Sequence, residues 1–110
     1  MGSAGSAHGT FQRAIARGNL TVAQAAAREL GWLPLPDALA YCLLLLRQDR
    51  DRYPRAALRW HARWETEACD ATLTESQLAI ASLAALEHAP DEHVVRLLNA
   101  LAQRGRPRRA

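Results

Sequence analysis

Lysine is missing altogether: all fourteen basic residues of this 110-residue chain are arginine. With abundant Ala and Leu, that bias is the mark of a GC-rich genome rather than of selection for phosphate-binding guanidinium groups. Cysteine is nearly missing too. Cys42 and Cys69 stand far apart, with no paired-Cys spacing. A disulfide framework is excluded, and free thiols in a reducing, cytoplasmic compartment are expected. Long hydrophobic runs are absent. The longest strongly apolar stretch, Ala38 to Leu46, is far too short to span a bilayer, so no membrane partner is expected. Met1 to Thr10 is rich in Gly, Ser and Ala without the apolar centre of a signal peptide, so no export is expected. Residues 1–9 read as a flexible leader or an expression scar, 10–103 as one helical domain, and 104–110 as a disordered basic tail.

What is present is an ordinary globular balance, 49% hydrophobic and 23% charged, which excludes disorder for the body of the chain. The net charge of +3 is unevenly spread. Residues 1–64 carry nine arginines and four acids, residues 65–103 one arginine (Arg96) and seven acids, and the tail from Arg104 to Ala110 four arginines and no acid. The basic character therefore belongs to the tail, and a body that binds polyanions all over is disfavoured.

Punctuation and periodicity write six helices. The first spans Phe11–Arg17, stopped by Gly18 and Asn19. The second opens on a capping box of Thr21 with Gln24 and closes at Gly31. The connector Trp32-Leu33-Pro34-Leu35-Pro36 is stiff and extended. The third helix, Pro36–Gln48, has no charge between Asp37 and Arg47 and is expected to be central and buried. The fourth, Pro54–Ala68, sets Tyr53, Ala57, Trp60 and Trp64 on one face and Arg55, Arg59 and Arg63 on another. The fifth opens on Thr74 with Gln77 and is uncharged from Gln77 to Leu86, so it too is expected to be central. The sixth begins at Pro90-Asp91 and carries Val94, Leu97, Leu98 and Leu101 inward. No strand is expected. The fold class is an all-α compact bundle of three helical hairpins, with solenoid-like stacking as the other arrangement.

Four segments, Arg13-Ala14-Ile15-Ala16-Arg17-Gly18-Asn19, Ala26-Ala27-Arg28-Glu29-Leu30-Gly31, Asp37-Ala38-Leu39 and Tyr53-Pro54-Arg55-Ala56-Ala57-Leu58-Arg59-Trp60, carry a resemblance. Across residues 11–104 the chain resembles a family of small, all-helical, functionally uncharacterised proteins of GC-rich bacteria. The resemblance implies a helical fold and supplies no activity or catalytic residue.

No constellation for chemistry stands out. There is no Ser–His–Asp arrangement, no phosphate-cradling Gly loop and no activated Cys; His61 one turn from Glu65 is an ordinary helix-surface pair. Glu87-His88 and Asp91-Glu92-His93 flank Pro90 in no ligand spacing, and acids at a helix start follow from the macrodipole. No enzyme, metal or cofactor is expected. Leu20 to Gly31 looks like the first helix of a helix-turn-helix, but Asp37 to Leu46 has almost nothing to reach a base edge.

Two expectations about partners remain. Arg55, Arg59 and Arg63, with Trp60 and Trp64, are candidates for binding another protein or the acidic region Glu65–Glu92, either within the molecule or in a second copy; the Trp spacing itself favours core. The tail Arg104-Gly105-Arg106-Pro107-Arg108-Arg109 resembles the centre of an AT-hook. It makes Arg104, Arg106, Arg108 and Arg109 candidates for minor-groove DNA contact. The first expectation, a non-enzymatic interaction module, is preferred; a DNA-associated accessory protein is the alternative.

Overall fold

The computed structural model describes residues 3–105, with side chains from Ser6 onward. Six helices follow one another: α1 Ser3–Arg17, α2 Leu20–Leu30, α3 Leu35–Gln48, α4 Tyr53–Glu67, α5 Leu73–His88 and α6 Glu92–Ala102. A single 3₁₀ turn, Arg50–Arg52, leads into α4. Among the described residues there is no strand, only one isolated bridge between Ala68 and Gly105. No helix among them is long and apolar enough to cross a membrane.

Helices α3, α4, α5 and α6 close a ring in which each packs on the next and α6 returns to α3. The α1–α2 hairpin lies outside that ring against α3. Two cores result. One gathers Leu39, Cys42 and Leu45 of α3 with Tyr53, Trp60 and Trp64 of α4, Leu83 and Leu86 of α5, and Leu98 and Leu101 of α6. The other gathers Phe11 and Ala14 of α1, Ala23 and Ala26 of α2, and Leu44 of α3. The uncharged α3 is thus central as expected, because it is covered from both sides. Helix α5 is not central. Ala79, Ser82, Leu83 and Leu86 face the core, while Leu73 is 86% exposed and Gln77, Leu78, Ala81, Ala84 and Ala85 are also exposed. Its missing charges therefore mark an apolar outer surface, against the expectation of full burial.

The helix starts differ from the expected caps. Asn19, not Thr21, caps α2, its Oδ1 accepting the Val22 N–H at 3.2 Å. Thr72 with Glu75, not Thr74 with Gln77, forms the capping box of α5. Both caps lie two residues earlier. The Glu75 carboxylate is a stronger acceptor than an amide and also meets the positive end of the helix dipole. Gly31 ends α2 at φ 74°, a left-handed conformation glycine adopts without Cβ strain, with its N–H donated to Ala27 O.

Helix α1 begins at Ser3 rather than Phe11, so the described part of the expected leader is helical. Ala7, Phe11 and Ala14 repeat at helical spacing on its buried side. His8 Nε2 lies 2.9 Å from Asp37 Oδ2 at the start of α3. Small residues at the N-terminus therefore serve close packing of the hairpin here.

The aromatic residues of α4 are buried and hydrogen-bonded. Trp60 Nε1–H donates to Leu35 O at 2.9 Å, Trp64 Nε1–H to Leu101 O at 2.9 Å, and Tyr53 O–H to Leu83 O at 2.7 Å. Each ring fills the core while its polar atom binds a carbonyl of a different neighbour, so α4 is tied to α3, α5 and α6. Burial pushes the Cys42 thiol from an ordinary 9.0 up to about 12 and raises the Tyr53 phenol as well.

Trp64→Ala removes both the largest buried side chain and the bond to Leu101 O, and is expected to cost about 3–5 kcal/mol in urea denaturation. Folded protein at neutral pH should release one equivalent of thiol to Ellman's reagent, from exposed Cys69, with Cys42 reacting only on unfolding. Because the folded Cys42 holds its proton more tightly than the unfolded one, its stabilisation is complete below pH 9 and is lost as pH rises toward 12.

Candidate functional site

Between the two cores, α3 opens into a groove of about 560 Å³. Its floor is α3: Ala40, Leu43 and Leu46 recur at i, i+3 and i+6, with Leu44 beside them. Ile15 of α1 closes one side; Leu86 of α5 with Pro90 and Val95 at the start of α6 closes the other. Charge lies at the rim. Arg47 and Arg96 supply cations, and Asp91 and Glu92 supply carboxylates. Asp91 is committed locally, since its Oδ1 caps α6 by accepting from His93 N and Val94 N. His93 Nδ1 lies 2.7 Å from Arg96 Nη2. Among the described residues no three His, Cys, Asp or Glu side chains converge in a metal-binding group. An apolar floor with charged ends suits recognition of an apolar side-chain row by shape.

The residues singled out from the sequence fall into three groups. Trp60 and Trp64 are 2% and 0% exposed, so their assignment to a partner surface is corrected: they are core. Arg63 is also withdrawn from any free stripe. It grips the Glu67 carboxylate with Nε at 2.7 Å and Nη2 at 3.0 Å, donates to Leu33 O at 2.8 Å, and lies over the Trp32 ring at 5.4 Å. That cluster holds the Trp32–Pro34 connector against α4. Arg55 and Arg59 are exposed and make no ion pair among the described residues. They alone keep the expected availability.

The expected tail is docked at its beginning. Arg104 pairs with Glu75 and also donates to Asp70 O at 2.9 Å, while Cys69 N–H donates to Arg104 O at 2.9 Å. Gly105 sits where a Cβ would come 2.7 Å from Leu35 Cδ1, too close for any side chain without a shift. Arg104 and Gly105 thus clasp the α4–α5 loop, and Arg104 is not a free DNA ligand. Arg106, Arg108 and Arg109 lie outside the described residues. The Glu75 carboxyl is held below its usual range, chiefly by the Thr72 backbone N–H and then by Arg104.

Sequence reasoning missed the groove because its walls come from residues 15, 40–47 and 86–96, which meet only after folding. The signal that points to it is the third apolar face of α3: Leu39, Cys42 and Leu45 are buried in one core and Leu44 in the other, while Leu43 and Leu46 pack against the first core and stay only partly covered. No protein-family model, no curated protein and no solved structure matches the chain. The fold and site together describe a small all-helical bundle whose surface features are apolar and charged patches.

Arg63→Ala should destabilise the protein by about 1–3 kcal/mol, whereas Arg55→Ala and Arg59→Ala should stay within about 0.5 kcal/mol, all by urea denaturation. Glu75→Gln tests the clasp. Its depressed carboxyl contributes stability above the ordinary carboxylate range and loses it as pH falls, so the variant should flatten the acid limb of stability against pH.

Proposed function

We propose that this chain is a non-enzymatic protein–protein interaction module that receives the apolar face of an amphipathic helix from another protein. The observation that carries the reading is the groove over α3, about 560 Å³ with an aliphatic floor from Ala40, Leu43 and Leu46. A row of apolar anchors at i, i+3, i+4 and i+7 matches a floor that is itself the side of a helix. The rim sets the orientation. An acidic residue flanking the row suits Arg47 or Arg96, and a basic one suits Glu92. Ile15, Ala40, Leu43, Leu46 and Val95 are half-buried, and covering what they leave open to water gains free energy.

The test is a selection of helical peptides against the full chain, with binding sites mapped by amide chemical shifts. Peptides with that apolar spacing should perturb Ile15, Ala40, Leu43 and Val95, and the perturbation should disappear in an Arg47→Glu/Arg96→Glu variant for peptides with an acidic residue flanking the row. Leu43→Asp should abolish it for every peptide; far-UV circular dichroism checks that each variant folds. Peptides that bind elsewhere, or none that bind with this spacing, would sink the reading.

A further inference from the structure

The α4–α5 hairpin carries an outer face that the groove does not use. The two helices run antiparallel, since His61 Nε2 lies 3.0 Å from Ser76 O and Tyr53 O–H reaches Leu83 O. Rotated away from those contacts, α4 presents Arg55, Leu58, Ala62 and Glu65, spaced i, i+3, i+7 and i+10 and all exposed. On the same side α5 presents Leu73, Gln77, Ala81 and Ala84, also exposed. Leu58 is 61% and Leu73 86% exposed. Large apolar side chains this open, beside small ones and with no charge on α5 from Gln77 to Ala84, call for cover.

We propose that this face docks a second copy of the chain about a two-fold axis, α4 against α4 and α5 against α5, both antiparallel. The charges are what select a second copy over other occupants. Arg55 and Glu65 stand ten residues apart, about 15 Å along one helix. With the axis level with residue 60, Arg55 of each copy lies level with Glu65 of the other, and the pair forms twice. Arg55 has no ion-pair partner among the described residues of its own chain. Glu65 keeps the Ser76 hydroxyl at 2.5 Å and is half exposed, so it retains free acceptor capacity.

The apolar residues obey the same symmetry. Leu58 falls level with the small Ala62 of the second copy. Because residue 61 lies opposite residue 76 in the hairpin, the axis meets α5 near Gln77. That sets the two Gln77 amides near each other and Leu73 level with Ala81 of the second copy. A large residue thus meets a small one at each apolar level, which lets the helices approach. Arg59, further round α4, stays at the solvated rim. A two-helix face about 22 Å long lies at the lower end of specific interfaces, so a reversible dimer in the micromolar range is expected.

Sedimentation velocity on the full chain across micromolar to millimolar concentration tests this. Arg55→Glu and Glu65→Arg alone should each weaken the dimer at least about tenfold, and the two together should restore it toward the wild-type constant. Leu58→Arg should abolish it. All three positions are exposed, and far-UV circular dichroism confirms that the variants fold. Arg47→Glu/Arg96→Glu, in the groove, should leave the constant unchanged, which separates this proposal from the groove reading. A wild-type chain that stays monomeric, single reversals without effect, a double reversal without rescue, or loss of the dimer in the groove variant instead would each overturn it.

Discussion

Everything in this fold depends on the burial of α3 from two directions. A 14-residue helix with no charge from Ala38 to Leu46 cannot stay beside water, and no single layer covers it. Leu39, Cys42 and Leu45 take the ring of α4, α5 and α6; Leu44 takes the α1–α2 hairpin. A domain of this length would struggle to close two separate cores. Sharing one helix between them lets both close with short connections. The helix faces that remain are decided by geometry: with 3.6 residues per turn, serving two cores leaves a third strip, and that strip is the groove.

Several main-chain carbonyls, at helix ends and in the connectors between helices, accept from side chains of distant elements. Trp60 reaches Leu35 O, Trp64 reaches Leu101 O, Arg63 reaches Leu33 O, Arg50 reaches Glu87 O and Gln48 reaches Gly18 O. Arg52 adds bonds to Gln24 at 3.1 Å and to the Tyr41 hydroxyl at 3.4 Å. Arginine suits this work because its planar fork binds several acceptors at once. Several of its arginines are therefore fasteners within the chain, and the charge they lend the first half is less available than its count implies.

The two open surfaces have a common origin. Both are apolar sides of helices already packed elsewhere: the third strip of α3, and the outer side of α5 with Leu58 of α4. They differ in the charges around them. The groove has mixed charge at its ends, from Arg47, Arg96, Asp91 and Glu92, and it is concave, so it favours a narrow element entering it. The hairpin face has Arg55 and Glu65 at opposite ends of one helix, a pattern complementary to itself when reversed. The two surfaces share no lining residue, so a variant of one leaves the other intact.

The six helices were legible in the residues themselves. Gly18, Gly31, the two prolines around Leu35, Asp49 to Asp51 and Pro90 interrupt the backbone where the elements end, because proline and left-handed glycine act locally. The burial of Tyr53, Trp60 and Trp64 was legible too, from spacing on one face. Periodicity could not tell α3 from α5. Both lack charge, yet one is enclosed and the other half open, since an apolar helix states only that it needs cover and not how much it receives. Nor could local pattern show that Arg63, beyond its i,i+4 partner Glu67, also reaches Leu33 O, that Arg104 is spent on Glu75 and Asp70 O, or that the start of the tail is clasped. The sequence by itself determined the helices and the face that α4 buries, through backbone sterics and the 3.6-residue repeat. Only the tertiary structure decided which apolar and charged side chains remained available to a partner, because exposure is set by contacts between residues distant along the chain.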